Sequence, residues 1–239
     1  MPPRRTAILA LVVAVVALLL LAASGFGYRS ELWTLRTAFS MLRWGAYLGV
    51  VAGIVAIIGL FTARPVGRAS APFAVALLLA LIAAGLPWSW KQKAGRVPPI
   101  HDITTDTQDP PAFVAVLPLR ATARNSAVYA GDSIAVQQRA AYPEVIPVQL
   151  AIPPAQAFAR AREAAESMGW EMVAADSSAG RIEATATTRW FGFKDDVVIR
   201  VRPAGAGSQV DVRSVSRVGG SDVGANAERI QAFVQRLGA

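Results

Sequence analysis

The chain has 239 residues, of which 54% are hydrophobic and only 17% are charged, so it is too apolar for an ordinary soluble domain and implies membrane-spanning segments. Its net charge of +8 arises before residue 97, where ten basic residues accompany one acidic residue; the remaining 14 basic and 15 acidic residues leave no electrostatic footprint for nucleic acid. Cysteine is absent, which excludes disulfides, thiol catalysis and cysteine-ligated metal sites.

Three apolar runs predict three transmembrane helices, at about 7–27, 44–61 and 71–90. Each run is close to the roughly 20 residues that a helix needs to cross the hydrocarbon core of a bilayer. No charged residue lies inside any of them, which favours an anchor over a channel or transporter. The first run could instead be a cleaved signal peptide, because Arg4 and Arg5 precede it, although it is longer than a usual signal sequence.

The basic residues beside these runs leave the side of the membrane open. The side that holds the N terminus would carry Arg4, Arg5, Arg64 and Arg68, and the other side would carry Arg29, Arg36, Arg43, Lys91, Lys93 and Arg96. Basic residues are more frequent on the cytoplasmic side of membrane proteins, so four basic residues against six place the later part of the chain in the cytoplasm. The arginines ahead of the first helix favour the opposite orientation, because the first helix usually dominates.

Beyond the anchor (1–97), the pattern predicts an irregular strap over 98–145 and an α+β domain over 146–239. The strap is rich in Pro, Asp and Thr. The domain should follow the order β-α-β-β-β-β-α, with its last helix from Ser221 to Leu237. Apolar residues alternate with Arg or Glu in its strands, which predicts an antiparallel sheet packed on one face by two helices, with its other face in water.

Pairing the last two strands across the loop at 203–208 sets a definite register. It places Asp195 opposite Ser216 and Asp196 opposite Val215. Successive strand residues point to opposite faces, so Asp196 should lie on the water-exposed face and Asp195 should point toward the helices.

These acids should form one cluster with the segment RSVSR and the start of the last helix. One interpretation is a network that locks the fold, with Asp neutralising Arg and capping the helix. The other is a pocket in which arginine forks and the free N–H groups at Gly219–Gly224 bind a phosphate or carboxylate. The candidate ligand-binding residues are Arg213, Arg217, Ser214, Ser216, Asp195, Asp196, Ser221, Asp222, Asn226 and Arg229.

The strap holds the single histidine, and His101, Asp102 and Asp106 motivate an alternative function as a metal-assisted hydrolase. Their spacing matches no defined metal motif, and no second histidine completes a zinc site, so a structural strap is the competing interpretation. Nucleophile motifs and phosphate-binding loops are absent from the sequence. We therefore assign no catalytic residue, expect no cofactor and favour a protein without enzymatic activity.

A third hypothesis is a cleft between the sheet and the helices that holds an acyl chain. Trp170, Trp190 and Phe193 would line it. Aromatic residues of this kind more often belong to an ordinary core, so the two interpretations stay open together.

The stretches IEATATTRWFGFKDDVVIRV and VDVRSVSRVGGSDVGANAERI carry a family resemblance. The residues that carry it are Phe193, Asp195, Asp196, Arg213, Ser214, Ser216, Arg217, Gly219, Asp222, Gly224, Asn226, Arg229 and Ile230. From about 98 to 237 the chain resembles the bacterial and plastid family called domain of unknown function 1499, in particular its longer members with three helices.

The resemblance implies an envelope location and an uncharacterised role, without assigned catalytic residues. We therefore expect a bacterial inner membrane protein with three spans, whose soluble domain lies in the periplasm. That domain should bind a partner protein of the envelope, or an anionic small molecule or lipid head group, at the end that carries Arg213 and Arg217.

Overall fold

The computed structural model describes residues 3–62 and 70–238. These residues form two compact units. The helical unit comprises Met1–Lys93 and Arg189–Gly192, and the second unit, called the α+β domain below, comprises Ala94–Thr188 and Phe193–Ala239.

The helical unit contains α1 (Pro3–Arg29), α2 (Leu35–Thr62) and α3 (Ser70–Ala94). All three are long and apolar enough to cross a membrane, which confirms the predicted number of spans. The helices exceed the predicted apolar runs because helical backbone continues into their polar ends. Two of the counted arginines, Arg64 and Arg68, lie outside the described residues.

Small residues of α2 let its neighbours approach closely. A Cβ atom on Gly45 would lie 2.9 Å from the carbonyl oxygen of Ala17 in α1. A Cβ atom on Gly49 would lie 2.9 Å from the Cβ of Ala83 in α3. Any larger side chain at these two positions would push one helix away, so the glycines set the spacing between the three spans.

The short segment Arg189–Gly192 belongs to the helical unit. The indole Nε1 of Trp190 donates a hydrogen bond to the carbonyl oxygen of Ala22, at 3.2 Å. Its ring lies 5.0 Å from that of Trp90, centroid to centroid, and the side chain of Phe191 is buried. Tryptophan is favoured at the ends of transmembrane helices, where an indole meets both apolar and polar surroundings.

The α+β domain is built on one six-stranded antiparallel sheet. Its strands are β1 (Asp102–Thr104), β2 (Val148–Leu150), β3 (Glu171–Asp176), β4 (Arg181–Thr187), β5 (Lys194–Ala204) and β6 (Gly207–Ser216). Its helices are α4 (Asp132–Ala141), α5 (Pro154–Ser167), α6 (Ala225–Leu237) and a short 3-10 helix, Leu117–Arg120. The strand order is β1-β6-β5-β4-β3, and β2 pairs with β6 beside β1. From β2 to α6 this is the predicted β-α-β-β-β-β-α order.

One face of the sheet packs against α5 and α6. Its core contains Ile199 of the sheet and Ile230 of α6, both with almost no exposed surface. Trp170 stacks on Phe233, with ring centroids 5.6 Å apart. Trp170 is therefore a core residue, whereas Trp190, which the acyl-chain hypothesis grouped with it, belongs to the helical unit.

The other face of the sheet is buried beneath the strap, the segment over 98–145. Glu183, Asp196 and Asp211 have no exposed surface, and Arg213 is only 2% exposed. The prediction of a water-exposed face was therefore wrong. An alternating pattern identifies a polar face, but it does not reveal whether another part of the chain covers that face.

The last helix begins later than predicted. Its first residue is Ala225, four positions after Ser221. Val223 and Gly224 have φ angles of 55° and 82°, which lie in the left-handed region and are incompatible with a right-handed helix. The segment before Ala225 is therefore a turn that leads into α6.

Candidate functional site

The candidate residues lie on two faces of the sheet, as the predicted register requires. Asp195 pairs with Ser216, and Asp196 pairs with Val215. Neighbouring residues of a strand point to opposite faces, so the candidates form two separate groups. Asp196, Arg213 and Arg217 bind partners on the strap face, whereas Asp195, Ser214, Ser216, Asn226 and Arg229 bind one another on the helix face.

Asp196 is the centre of the strap-face group. Arg217 binds it with two parallel hydrogen bonds of 2.9 and 2.7 Å, Arg120 donates to it at 2.5 Å, and the hydroxyl of Thr185 donates at 2.8 Å. Burial alone would raise the pKa of this carboxyl, but the hydrogen bonds from Arg217, Thr185 and Arg120 outweigh burial and lower the pKa below its ordinary value.

Arg213 is enclosed on all sides. It makes two hydrogen bonds with Asp102, at 2.9 and 2.7 Å, and donates to the carbonyl oxygens of Pro111 and Ala127. Its guanidinium carbon also lies 5.1 Å from the ring centroid of Phe113. All these partners belong to the strap, so Arg213 holds the strap on the sheet.

On the helix face, a second network connects β5, β6 and α6. Arg229 forms an ion pair of 2.6 Å with Asp195 and also binds Asn226. The Asn226 side chain in turn binds the hydroxyls of Ser214 and Ser216. This chain of polar contacts secures the start of α6 to the sheet, as the fold-locking interpretation predicted.

Asp222 occupies the N-terminus of α6. Its carboxylate accepts hydrogen bonds of 2.8 Å from the N–H groups of Gly224 and Asn226, and the hydroxyl of Ser221 accepts one from Val223. Burial raises the pKa of Asp222, and these two N–H groups oppose that effect. The expectation of free N–H groups at Gly219–Gly224 was therefore wrong for Val223 and Gly224, because side chains of the turn already accept their hydrogen bonds.

The geometry of the strap gives no support to the hydrolase alternative. Asp102 binds Arg213, and Asp106 binds Arg200 and Arg202. The carbonyl oxygen of His101 accepts hydrogen bonds from the sheet and from α6. Over 3–62 and 70–238, no group of three His, Cys, Asp or Glu side chains is arranged to hold a metal ion.

Sequence reasoning missed Glu183, which is fully buried in the middle of β4. Its carboxylate accepts hydrogen bonds from the backbone N–H groups of Val114, Ala115 and Val116, at 3.0 to 3.1 Å. It also pairs with Arg181. The available signal was a glutamate between two apolar strand residues, Ile182 and Ala184.

Three cationic residues lie together where β5 begins and β6 ends. The N–H of Arg217 donates to the carbonyl oxygen of Lys194, and the N–H of Arg124 donates to that of Arg217, both at 3.0 Å. Lys194 and Arg124 are exposed, and neither takes part in an ion pair within the described part of the chain. Asp196 is shared by two arginines, Arg120 and Arg217, so it cannot neutralise both. We call Arg124, Lys194 and Arg217 the cationic edge.

A family model described as "Protein of unknown function (DUF1499)" matches residues 102–237, which is more than half of the chain. The chain belongs to this family. This confirms the resemblance identified from the residues, and the match runs from β1 to the end of α6. The part of this chain that matches the DUF1499 model lies in the α+β domain. The three spans lie outside the matched region. No curated protein and no solved structure matches the chain.

Proposed function

We propose that this DUF1499 protein is an envelope protein of a bacterial inner membrane, and that its periplasmic α+β domain binds an anionic ligand at the cationic edge. The observation that carries the proposal is the shared carboxylate of Asp196, which leaves an excess positive charge on Arg120 and Arg217. The exposed side chains of Lys194 and Arg124 add to this charge.

The proposed site differs from the one expected at Arg213 and Arg217. Arg213 is buried and fully engaged by the strap, so a ligand cannot reach it without displacing Asp102. Arg217 uses Nε and Nη2 for Asp196, and its Nη1 atom takes part in neither bond. Because the supporting observation is one of charge, it favours an anionic group, such as a phosphate, over a partner protein of other chemistry.

The binding test uses inorganic pyrophosphate as the probe and the full chain in a neutral detergent. Each charge-assisted hydrogen bond contributes about 1.5–3 kcal/mol, so the double variant Lys194→Ala, Arg124→Ala should raise the Kd at least about tenfold. Arg160→Ala is the matched control, because Arg160 is an exposed arginine of α5. Isothermal titration calorimetry that gives the same Kd for the double variant and the wild type contradicts the proposal.

The location is tested separately with alkaline phosphatase or a fluorescent protein fused after residue 239. An active phosphatase fusion is expected, because this enzyme matures outside the cytoplasm, where its disulfides form. A fluorescent fusion with an inactive phosphatase counterpart would place the domain in the cytoplasm, as the count of basic residues favours.

A further inference from the structure

The strap displays aliphatic side chains next to the cationic edge. Val114, Leu117 and Leu119 are 50%, 46% and 51% exposed. Isolated exposed apolar residues are common, but three within six residues form a cluster that calls for a partner. Val116, which lies between them, and Arg120, which follows Leu119, are buried, so the same short stretch is anchored on one side and apolar on the other.

Buried contacts hold this stretch firmly. Glu183 accepts hydrogen bonds from three consecutive N–H groups, including those of Val114 and Val116. The ion pair between Arg120 and Asp196 secures its other end. The exposed aliphatic side chains therefore project from a fixed backbone, and their exposure is a property of the fold rather than of a loose loop.

The aliphatic cluster is continuous with the cationic edge. Two backbone turns follow one another along the stretch: the N–H of Leu119 donates to the carbonyl oxygen of Val116, and the N–H of Ala123 donates to that of Arg120. The N–H of Arg124 then donates to the carbonyl oxygen of Arg217, which joins the stretch to the cationic edge. The stretch over 113–125, FVAVLPLRATARN, contains two arginines and no acidic residue. Aliphatic side chains next to basic ones, without acidic residues, suit the surface of a bilayer that contains anionic lipids.

The chain itself brings a membrane to this domain through α1, α2 and α3. In addition, Lys194 of the cationic edge lies two residues after Gly192 in the sequence, and Gly192 ends the segment Arg189–Gly192 of the helical unit. Within that segment, Trp190 binds the backbone of α1 near its C-terminal end. A lipid surface is therefore the occupant that the chemistry and the connectivity of this region favour.

We propose that residues 113–125 dock on the surface of an anionic phospholipid bilayer. Val114, Leu117 and Leu119 enter the interfacial region, while Arg124 and Lys194 contact lipid phosphates. This inference rests on the proposed function, because it identifies the anionic group at the cationic edge as a lipid phosphate. It adds the aliphatic cluster, which a soluble phosphate compound would not need.

The absence of cysteine from the chain allows a site-specific test. The full chain with Leu119→Cys is labelled with the fluorophore NBD and reconstituted in nanodiscs that contain lipids with a nitroxide on the acyl chain. Phosphatidylcholine discs are compared with discs that also contain phosphatidylglycerol. Val136→Cys is the matched control, because Val136 is 59% exposed but lies on α4, outside the docking stretch.

We expect NBD at position 119 to lose most of its fluorescence in the anionic discs and much less in the neutral discs, while NBD at position 136 stays bright in both. Adding Lys194→Ala and Arg124→Ala should abolish the difference between the two lipids. Equal brightness at positions 119 and 136 in the anionic discs overturns the inference, and so does equal quenching at position 119 in both lipids.

The pyrophosphate titration separates this inference from the proposed function. If Lys194 and Arg124 determine pyrophosphate binding but position 119 is not quenched, the anion site stands and the bilayer docking is wrong. If the double variant binds pyrophosphate like the wild type, the proposed function fails at its own test, whatever the quenching shows.

Discussion

The two faces of the sheet are both buried, but their contacts differ in chemistry. On the helix face, apolar side chains such as Ile199 and Ile230 pack together, and polar contacts gather near the start of α6. On the strap face, buried carboxylates meet guanidinium groups and backbone N–H groups, as at Asp196 and Glu183. The strap is thus held largely by charges and hydrogen bonds, whereas α5 and α6 are held largely by apolar packing.

This difference determines how each face should respond to change. Burying apolar surface gives a gain that varies gradually with the volume of the side chain. A buried ion pair adds little net stability, because desolvation offsets the attraction, yet removing one partner leaves an uncompensated charge. The strap face should therefore be the more sensitive of the two to single substitutions and to acid.

The largest effect is expected for Asp196→Asn. This variant leaves the guanidinium groups of Arg120 and Arg217 without their shared carboxylate, and the Arg120 side chain is only 4% exposed. We expect a loss of about 3–5 kcal/mol in the free energy of opening of the strap face. Hydrogen exchange of the full chain in detergent micelles, measured by mass spectrometry on peptides from β5 and β6, gives this quantity.

Asp109→Asn is the matched control for this prediction. Asp109 also pairs with arginines of β5, Arg200 and Arg202, but its side chain is largely exposed. An exposed ion pair contributes about 0–1 kcal/mol, so the change should be small. Equal losses in the free energy of opening for Asp196→Asn and Asp109→Asn would show that burial of the carboxylate does not determine the cost of removing its charge from the strap face.

Acid should weaken the strap face next. The pKa of Asp196 is lowered in the folded state from its ordinary value of 3.8. Its contribution to stability is therefore fully present above that ordinary pKa and is lost as the pH falls through the pKa of the folded state. Asp106 has the same sign: burial raises its pKa, but the N–H groups of Asp109 and Gln108 and two arginines lower it overall. Asp222 has the opposite sign, because its pKa is raised.

The measurement is urea unfolding of the full chain in detergent micelles, followed by far-ultraviolet circular dichroism from about pH 7 to about pH 3. The urea concentration at the midpoint of unfolding should decrease once the pH is lowered below about 4. The decrease should be smaller in Asp196→Asn, because this variant has already lost one of the titrating carboxylates. Parallel curves for the variant and the wild type would mean that Asp196 is not part of the acid response.

Features that depend on local pattern were predictable from the sequence. The three spans follow from uninterrupted apolar runs, and the order of β2 to α6 follows from periodicity and turn residues. The register of β5 and β6 follows from the short loop between them, which fixes every pair up to Asp195 and Ser216. That register correctly separated Asp195 from Asp196.

Features that depend on distant partners were not predictable in the same way. Arg120 and Asp196 are 76 residues apart in the sequence, and Asp102 and Arg213 are 111 residues apart. No local signal links such pairs, so Arg213 looked available to a ligand although the strap encloses it. Glu183 was missed for the same reason, because its three N–H partners belong to the strap.

The smallest effect is expected on the helix face, for Ile230→Val. Ile230 is 1% exposed in the core formed with α5 and the sheet, and the variant removes one methylene group without creating a charge. The loss should be about 0.5–1.5 kcal/mol, and it should not depend on pH, because no titrating group is removed. Hydrogen exchange on peptides from α6 measures the loss, and urea unfolding at both ends of the pH range tests its independence from acid. A loss as large as that of Asp196→Asn would remove the distinction between the two faces, because apolar packing would then be as intolerant of a small change as the buried charges are.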